Sequence, residues 1–289
     1  MVSISIGRPK LFGIVNITED SFSDGGRFLD AAAALAHARG LVAAGAQVID
    51  LGAAASNVDA RPVSAEEEIR RLEPLITALK ADGTPVSVDS FLPAVQRFAI
   101  ARRVEFINDI QGFPNISLYP ELAAANCLLV VMHAVQGRGR AQRLELSARE
   151  VWDRIGAFFR QRVAALEQAG IARERIVLDP GMGFFLSTRP EASFYVLARL
   201  DELKHAFGLP VLVSVSRKSF LRALTGRGAA AELGAASLAA ELQAASRGVD
   251  FIRTHDPAAL VDGLRVVAAL RAAAAAEGEP ESTGKSATD

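Results

Sequence analysis

Leu11-Phe12-Gly13-Ile14-Val15-Asn16-Ile17 is apolar at odd and even positions alike until it meets Asn16. A run of this kind suits a strand covered on both faces, and such strands belong to parallel sheets crossed by helices. Working outward, the same feature recurs over 47–52, 85–90, 105–110, 128–133, 175–180, 210–216 and 250–255, giving eight strands. The longer alanine-rich or charged stretches between them predict helices over 30–44, 64–82, 92–102, 118–125, 150–169, 192–207, 231–246 and 257–276. Ser64 and Glu67 are spaced as a capping box for the second helix. An open, doubly wound sheet also alternates strand and helix, but eight regular repeats in 289 residues fit a closed, single-domain (β/α)8 TIM barrel better. That barrel is assigned to residues 1–276, and the small, charged residues 277–289 are read as a disordered tail.

Composition narrows the function. Lys and Arg number 32 against 33 Asp and Glu, a formal charge of −1, so the broad positive field that holds nucleic acid is missing and any phosphate binding must be local. Hydrophobic residues make up 50% of the chain, enough for a large core, yet no apolar run reaches the length of a membrane span. The one cysteine, Cys127, excludes an intramolecular disulfide, has no basic neighbour to activate it, and reads as a core residue. A cytoplasmic location is expected.

Polar residues collect at the C-terminal ends of the proposed strands: Asn16, Asp50, Asp89, Asn108, Asp109, His133, Asp179, Ser216, Arg253 and His255. Active sites of (β/α)8 barrels lie on that face. Any one of these residues would serve equally as a helix cap or turn, but their concentration at strand ends favours a pocket. Asp89, Asn108 and Asp179 offer the donors and acceptors that the planar edge of a fused nitrogen heterocycle requires. Arg253 and His255 flank one strand residue and so point the same way, and Lys218 adds a third cation, which together make an anion clamp. His255 could instead pair with Asp256, and Arg217 and Lys218 could be solvated charges. His37 and His205 lie in helical stretches and read as surface residues.

The stretch Gly13-Ile14-Val15-Asn16-Ile17-Thr18-Glu19-Asp20-Ser21-Phe22-Ser23-Asp24-Gly25-Gly26 resembles the first-loop signature of the dihydropteroate synthases. The resemblance continues through Val86-Ser87-Val88-Asp89-Ser90, Asn108-Asp109-Ile110, Met132-His133, Leu178-Asp179-Pro180-Gly181, Ser216-Arg217-Lys218-Ser219 and Ile252-Arg253-Thr254-His255-Asp256. It implies an enzyme that joins a pterin diphosphate to p-aminobenzoate and releases pyrophosphate through an SN1-like cation. Asp50, Asp89, Asn108, Met132, Asp179, Gly183 and Lys218 would bind the pterin; Asn16, Arg253 and His255 the diphosphate; Ser56, Phe184, Lys218 and Ser219 the p-aminobenzoate. Asp89, Lys218, Arg253 and His255 would carry the chemistry, with Mg²⁺ on Asn16, loops including Gly25-Gly26 to exclude water, and a homodimer as the assembly.

Two stretches depart from the ordinary pattern. The second loop reads Gly52-Ala53-Ala54-Ala55-Ser56-Asn57, with Asn57 where an arginine is usual, and Asp179-Pro180-Gly181 continues as Met182-Gly183-Phe184-Phe185-Leu186. Both resemble the sulfonamide-insensitive branch of the family, in which Phe184 and Phe185 would discriminate against drug. A pterin-binding methyltransferase and a non-catalytic pterin-binding paralogue are the competing readings.

Overall fold

The computed structural model describes residues 8–17, 31–54, 62–137 and 143–276. The calls on the Gly25-Gly26 loop, on Ser56 and Asn57, and on 277–289 fall outside them. Eight strands appear where the apolar runs predict them: β1 Lys10–Asn16, β2 Val48–Gly52, β3 Val86–Asp89, β4 Phe106–Asp109, β5 Leu128–Met132, β6 Ile176–Asp179, β7 Leu212–Val213 and β8 Phe251–Thr254. All pair in parallel, in the order β6-β5-β4-β3-β2-β1-β8-β7. A parallel bridge between Leu178 and Val211, with the Leu178 N–H donating to Pro210 O at 2.8 Å, joins β6 to β7 and closes the ring. The open-sheet alternative is thereby excluded.

The α-helices are α1 Ala31–Ala43, α2 Ala65–Ala81, α3 Pro93–Ala101, α4 Tyr119–Ala124, α5 Ala148–Gln168, α6 Pro190–Leu197, α7 Leu200–Phe207, α8 Ser219–Thr225, α9 Gly234–Ser246 and α10 Pro257–Ala276. Three stretches differ from expectation. The helix predicted over 192–207 is two, α6 and α7, broken at Ala198 and Arg199; Val196, Leu197, Leu200 and Leu203 are all buried across the break, so the apolar period gave no sign of it. α8 is additional and ends at Gly226, whose φ of 67° suits a residue without a side chain. The strand expected over 210–216 keeps only Leu212–Val213 in its ladder.

Of the proposed capping box, one half forms: the Glu67 N–H donates to Ser64 Oγ at 3.2 Å, but the Glu67 carboxylate turns to Arg70 and Arg71. Arg71 donates onward to Ala53 O, anchoring the end of β2. A complete box sits at α5, between Ser147 and Glu150.

Two apolar layers hold the barrel. The larger lies between strands and helices and contains Cys127, as expected for a core residue. The other fills the floor of the barrel with Phe12, Val48, Phe106, Val130, Val177, Leu212 and Phe251. Three of its rings meet edge to face, with centroids 4.9 Å (Phe12 and Phe106), 5.5 Å (Phe12 and Phe251) and 5.8 Å (Phe106 and Phe251) apart, an arrangement favoured by the ring quadrupoles. This floor leaves the opposite end of the barrel open to chemistry. Among the described residues, no helix is long and apolar enough to cross a membrane.

Candidate active site

Sheet register sets the pocket. Asn16 pairs with Gly52, Gly52 with Asp89 and Asp89 with Asn108, so one rung crosses four strands at the mouth of the barrel. Met132 and Asp179 are partners on the far side. A side chain at Gly52 would place its Cβ 3.5 Å from Asn16 Oδ1 and 4.0 Å from Asp89 Cβ, so glycine keeps the space between those two polar groups open.

Arg253 stands in the middle. Its Nη2 donates to Asp50 Oδ2 and, at 2.9 Å, to Asp89 Oδ2. Burial works against the guanidinium charge, but Asp50, Asp89 and Asp179 outweigh it and hold Arg253 above its ordinary value. Asp50, 1% exposed, is pushed up by burial, with Arg253 opposing. Such a network leaves specific groups unfulfilled: Asp50 Oδ1, Arg253 Nε and both polar atoms of the Asn108 amide are buried without a hydrogen-bond partner. Buried polar atoms without partners are uncommon in native interiors, and these four belong to side chains that strand alternation turns toward the inside of the barrel.

The loop after β6 and the loop after β7 complete the pocket. Asp179 accepts from the Gly181 N–H at 2.8 Å, and burial raises its carboxyl to about 6. Gly183 has a φ of 68°, and a Cβ there would come within 2.9 Å of Ser219 Oγ; only glycine brings this loop onto Lys218 and Ser219. Arg217 is exposed with a φ of 58°, which is the turn that sends Lys218 inward instead. Arg217 is therefore the solvated charge and Lys218 a pocket residue, its ammonium lowered by desolvation and by Arg253, with Nζ 5.8 Å from the centre of the Phe185 ring. Phe185, 7% exposed, packs with Ile110, Met132, Ala134 and half-buried Phe91 and Phe184 as an apolar wall beside that lysine.

Two strand-end residues turn away from the pocket. Asn108 and Met132 face inward, so alternation sends their neighbours Asp109 and His133 outward. Asp109 accepts from Gln96 Nε2, Gln111 N and Phe113 N, fixing the loop after β4. His133 Nδ1 lies 3.1 Å from Pro180 O, and burial pushes its imidazole down to about 4, which makes it a neutral strut. His255 has turned to Ser216, with Nδ1 3.0 Å from Ser216 Oγ, and not to Asp256. Burial, reinforced by Arg217, Lys218 and Arg253, lowers it to about 3, so the ring is neutral. His37 and His205 are exposed, as expected.

Asn16 is exposed at the end of β1, on the open side of the Gly52 gap. Among the described residues no group of three or more acidic, histidine or cysteine side chains could cage a metal. A lone amide oxygen still fits a magnesium ion whose remaining positions are taken by phosphate and water, the habit of that ion with phosphate esters.

The chain matches the family described as pterin binding enzyme over residues 12–255. It is 62% identical over 261 residues to a dihydropteroate synthase type-2 of Escherichia coli, covering 90% of this chain and 96% of that one, and 53% identical to a type-3 synthase of the same organism, covering 90% and 99%. Among solved structures, Xanthomonas albilineans dihydropteroate synthase with 4-aminobenzoic acid superposes with a TM-score of 0.83 at 38% identity, over 92% of this chain and 94% of that one. An orphaned Asn108 amide at the mouth of a barrel this similar throughout its length leaves one assignment: the chain belongs to the dihydropteroate synthases.

Proposed function

We propose that this pocket joins 6-hydroxymethyl-7,8-dihydropterin diphosphate to p-aminobenzoate, with the residues divided by the charge each must meet. The buried, unpartnered Asn108 amide carries the reading, because it is the group whose hydrogen bonds only a ligand can complete. Asn108 and Asp179 take the pterin edge, with Asp50, Met132, Gly183 and Lys218 around it. Arg253, still holding an unused Nε, and His255 hold the diphosphate, with Asn16 as the protein ligand for Mg²⁺. When bound, that ion supplies positive charge to the leaving diphosphate.

As the bond from the pterin methylene to the diphosphate breaks, positive charge spreads over the heterocycle. Asp89 is placed to stabilise it, because fixed carboxylates in a water-poor cleft act far more strongly than in solution. The p-aminobenzoate amine then attacks, its carboxylate held near Ser219 and Lys218, with Phe184 alongside; Ser56, assigned to the same group by the resemblance, lies outside the described residues. We also infer that Phe184 and Phe185 reject sulfonamides, which carry a tetrahedral sulfonyl where the substrate has a flat carboxylate. A homodimer through the last helices belongs to the same reading, supported by Val266 and Leu270, which stand 59% and 66% exposed on α10. A cytoplasmic setting is carried forward on the lone, buried Cys127.

The test is Mg²⁺-dependent pyrophosphate release from the pterin diphosphate and p-aminobenzoate, repeated with excess sulfamethoxazole. Turnover that survives the drug supports both the synthase and its insensitivity. Turnover abolished at low drug concentration removes the insensitivity alone, and absence of turnover removes the residue assignments.

A further inference from the structure

Among the described residues, three other than glycine carry a positive φ: Arg103 at 54°, Phe113 at 59° and Arg217 at 58°. That region crowds Cβ against the following carbonyl oxygen, so an L residue stays there only where its surroundings hold it. Arg103 closes off α3, its N–H donating to Ile100 O at 2.9 Å. Phe113 is held by Asp109 Oδ2 on its N–H and by Tyr119 and Arg162 on its carbonyl. Arg217 stands on the pocket rim between Ser216 and Lys218, and it is exposed.

What holds Arg217 comes from another element. Its N–H donates to Ser237 Oγ at 2.9 Å, and Ser237 lies on α9, 5% exposed. The next amide is tied more loosely, the Lys218 N–H reaching Val215 O at 3.4 Å, past the ordinary range. A change in φ at residue 217 turns every later atom about one bond, so the bond to Ser237 governs where the chain goes next. There is little room for drift. The turn delivers half-buried Lys218 and Ser219 to the loop after β6, where a Cβ on Gly183 would lie 2.9 Å from Ser219 Oγ and 3.7 Å from Lys218 Cβ.

We propose that Ser237 is a positioning residue for Lys218 and Ser219: by accepting the Arg217 N–H, its hydroxyl oxygen holds the left-handed turn that sends both toward the p-aminobenzoate carboxylate. The inference rests on the reading of Lys218 and Ser219 as the site of that carboxylate. Ser237 acts on the turn and not on the substrate, and no bond is made or broken in this role.

A double-mutant cycle tests it, because glycine adopts a positive φ without the Cβ clash. If Ser237 serves to hold Arg217 in the left-handed region, its loss matters with arginine at 217 and matters little with glycine there. S237A is compared with the wild type, and R217G/S237A with R217G, so that effects of the Arg217 side chain cancel. Two quantities are read: the KM for p-aminobenzoate in pyrophosphate release, and the rate at which acetic anhydride acetylates Lys218, followed by peptide mass spectrometry.

S237A should raise that KM about tenfold, equivalent to about 1.4 kcal/mol and in the range of one hydrogen bond, and should speed acetylation of Lys218 by a similar factor. R217G/S237A should match R217G within about twofold in both. If S237A does not fold, R217G should restore folding, and a failure to do so overturns the proposal. Equal losses in the two backgrounds also overturn it, since Ser237 then acts by packing alone, as does an S237A protein with wild-type KM and wild-type acetylation. If acetylation follows the cycle while the KM stays constant, Ser237 still sets Lys218, and the p-aminobenzoate assignment of that lysine is what fails.

Discussion

Arg253 donates through Nη2 to Asp89 Oδ2 at 2.9 Å, tying the last barrel strand to the third across the mouth of the pocket. The bond fixes the Asp89 carboxyl group at the pocket mouth, where the proposed reaction develops cationic character. Asp89→Asn keeps an oxygen acceptor for Arg253 and removes the charge. We expect kcat to fall by about 10²-fold while the KM for the pterin diphosphate moves less than about threefold, the pattern of an interaction made in the transition state. Steady-state pyrophosphate release is the measurement. An unchanged kcat would reduce Asp89 to a brace for Arg253.

Asn108 separates folding from binding. Its amide is 1% exposed and has no protein partner, so unsatisfied it carries a desolvation cost of about 1–3 kcal/mol that a polar ligand would offset. Asn108→Leu keeps the number and branching of side-chain heavy atoms and deletes the polar ones. The thermal midpoint should hold or rise, while the KM for the pterin diphosphate rises by about 10²-fold, as when buried polar recognition is lost. A midpoint several degrees lower in calorimetry would mean that Asn108 serves the fold.

Asp109, the next residue, should behave in the opposite way. Asp109→Ala leaves the Gln96 Nε2, Gln111 N and Phe113 N donors without their acceptor and should cost about 3 kcal/mol or more, with the pterin KM near wild type. Burial also raises the Asp109 carboxyl to about 6. A folded-state value above the unfolded one means that this group's contribution is full below about pH 4 and is lost as pH rises through about 6. The stability gap between wild type and variant should therefore narrow over that interval, by on the order of 2 kcal/mol, in urea titrations at stepped pH. A gap that stays constant would show that Asp109 does not titrate there.

Asn108 and Asp109 also mark the limit of what the sequence discloses. The strands were legible because burial on both faces makes them continuously apolar, and their ends because each run stops at a polar residue. Which of two adjacent polar residues faces the pocket depends on the register of each pleat, and the run that places Asn108 and Asp109 together carries no such information. Met132 and His133 repeat the ambiguity. The break between α6 and α7 was hidden because Val196 and Leu200 continue one apolar face across it. One acid in an alanine-rich helix reads as solvent-facing, and only packing against β8 makes Glu241 a buried group.

The last prediction concerns drug discrimination. Phe185 stands against Met132 and Ile110 with its ring 5.8 Å from Lys218 Nζ, and its carbonyl accepts from the Val135 N–H at 2.9 Å, so both ring and backbone are held. A held ring cannot swing aside for a bulkier ligand, which is how a rigid side chain turns a small difference in shape into selectivity. Phe185→Leu keeps much of the packing and shortens the wall, whereas Phe185→Gly removes the wall at a stability cost of about 3 kcal/mol. Inhibition by sulfamethoxazole should tighten by at least about tenfold in the leucine variant and further in the glycine variant, with the KM for p-aminobenzoate changing less than about threefold; tenfold needs only about 1.4 kcal/mol of relieved clash. Competitive inhibition constants for both variants provide the check. If they match the wild type while the proteins remain folded, Phe185 is a packing residue of the barrel rim, and selectivity against the drug has to reside in Phe184 or in loops elsewhere around the p-aminobenzoate.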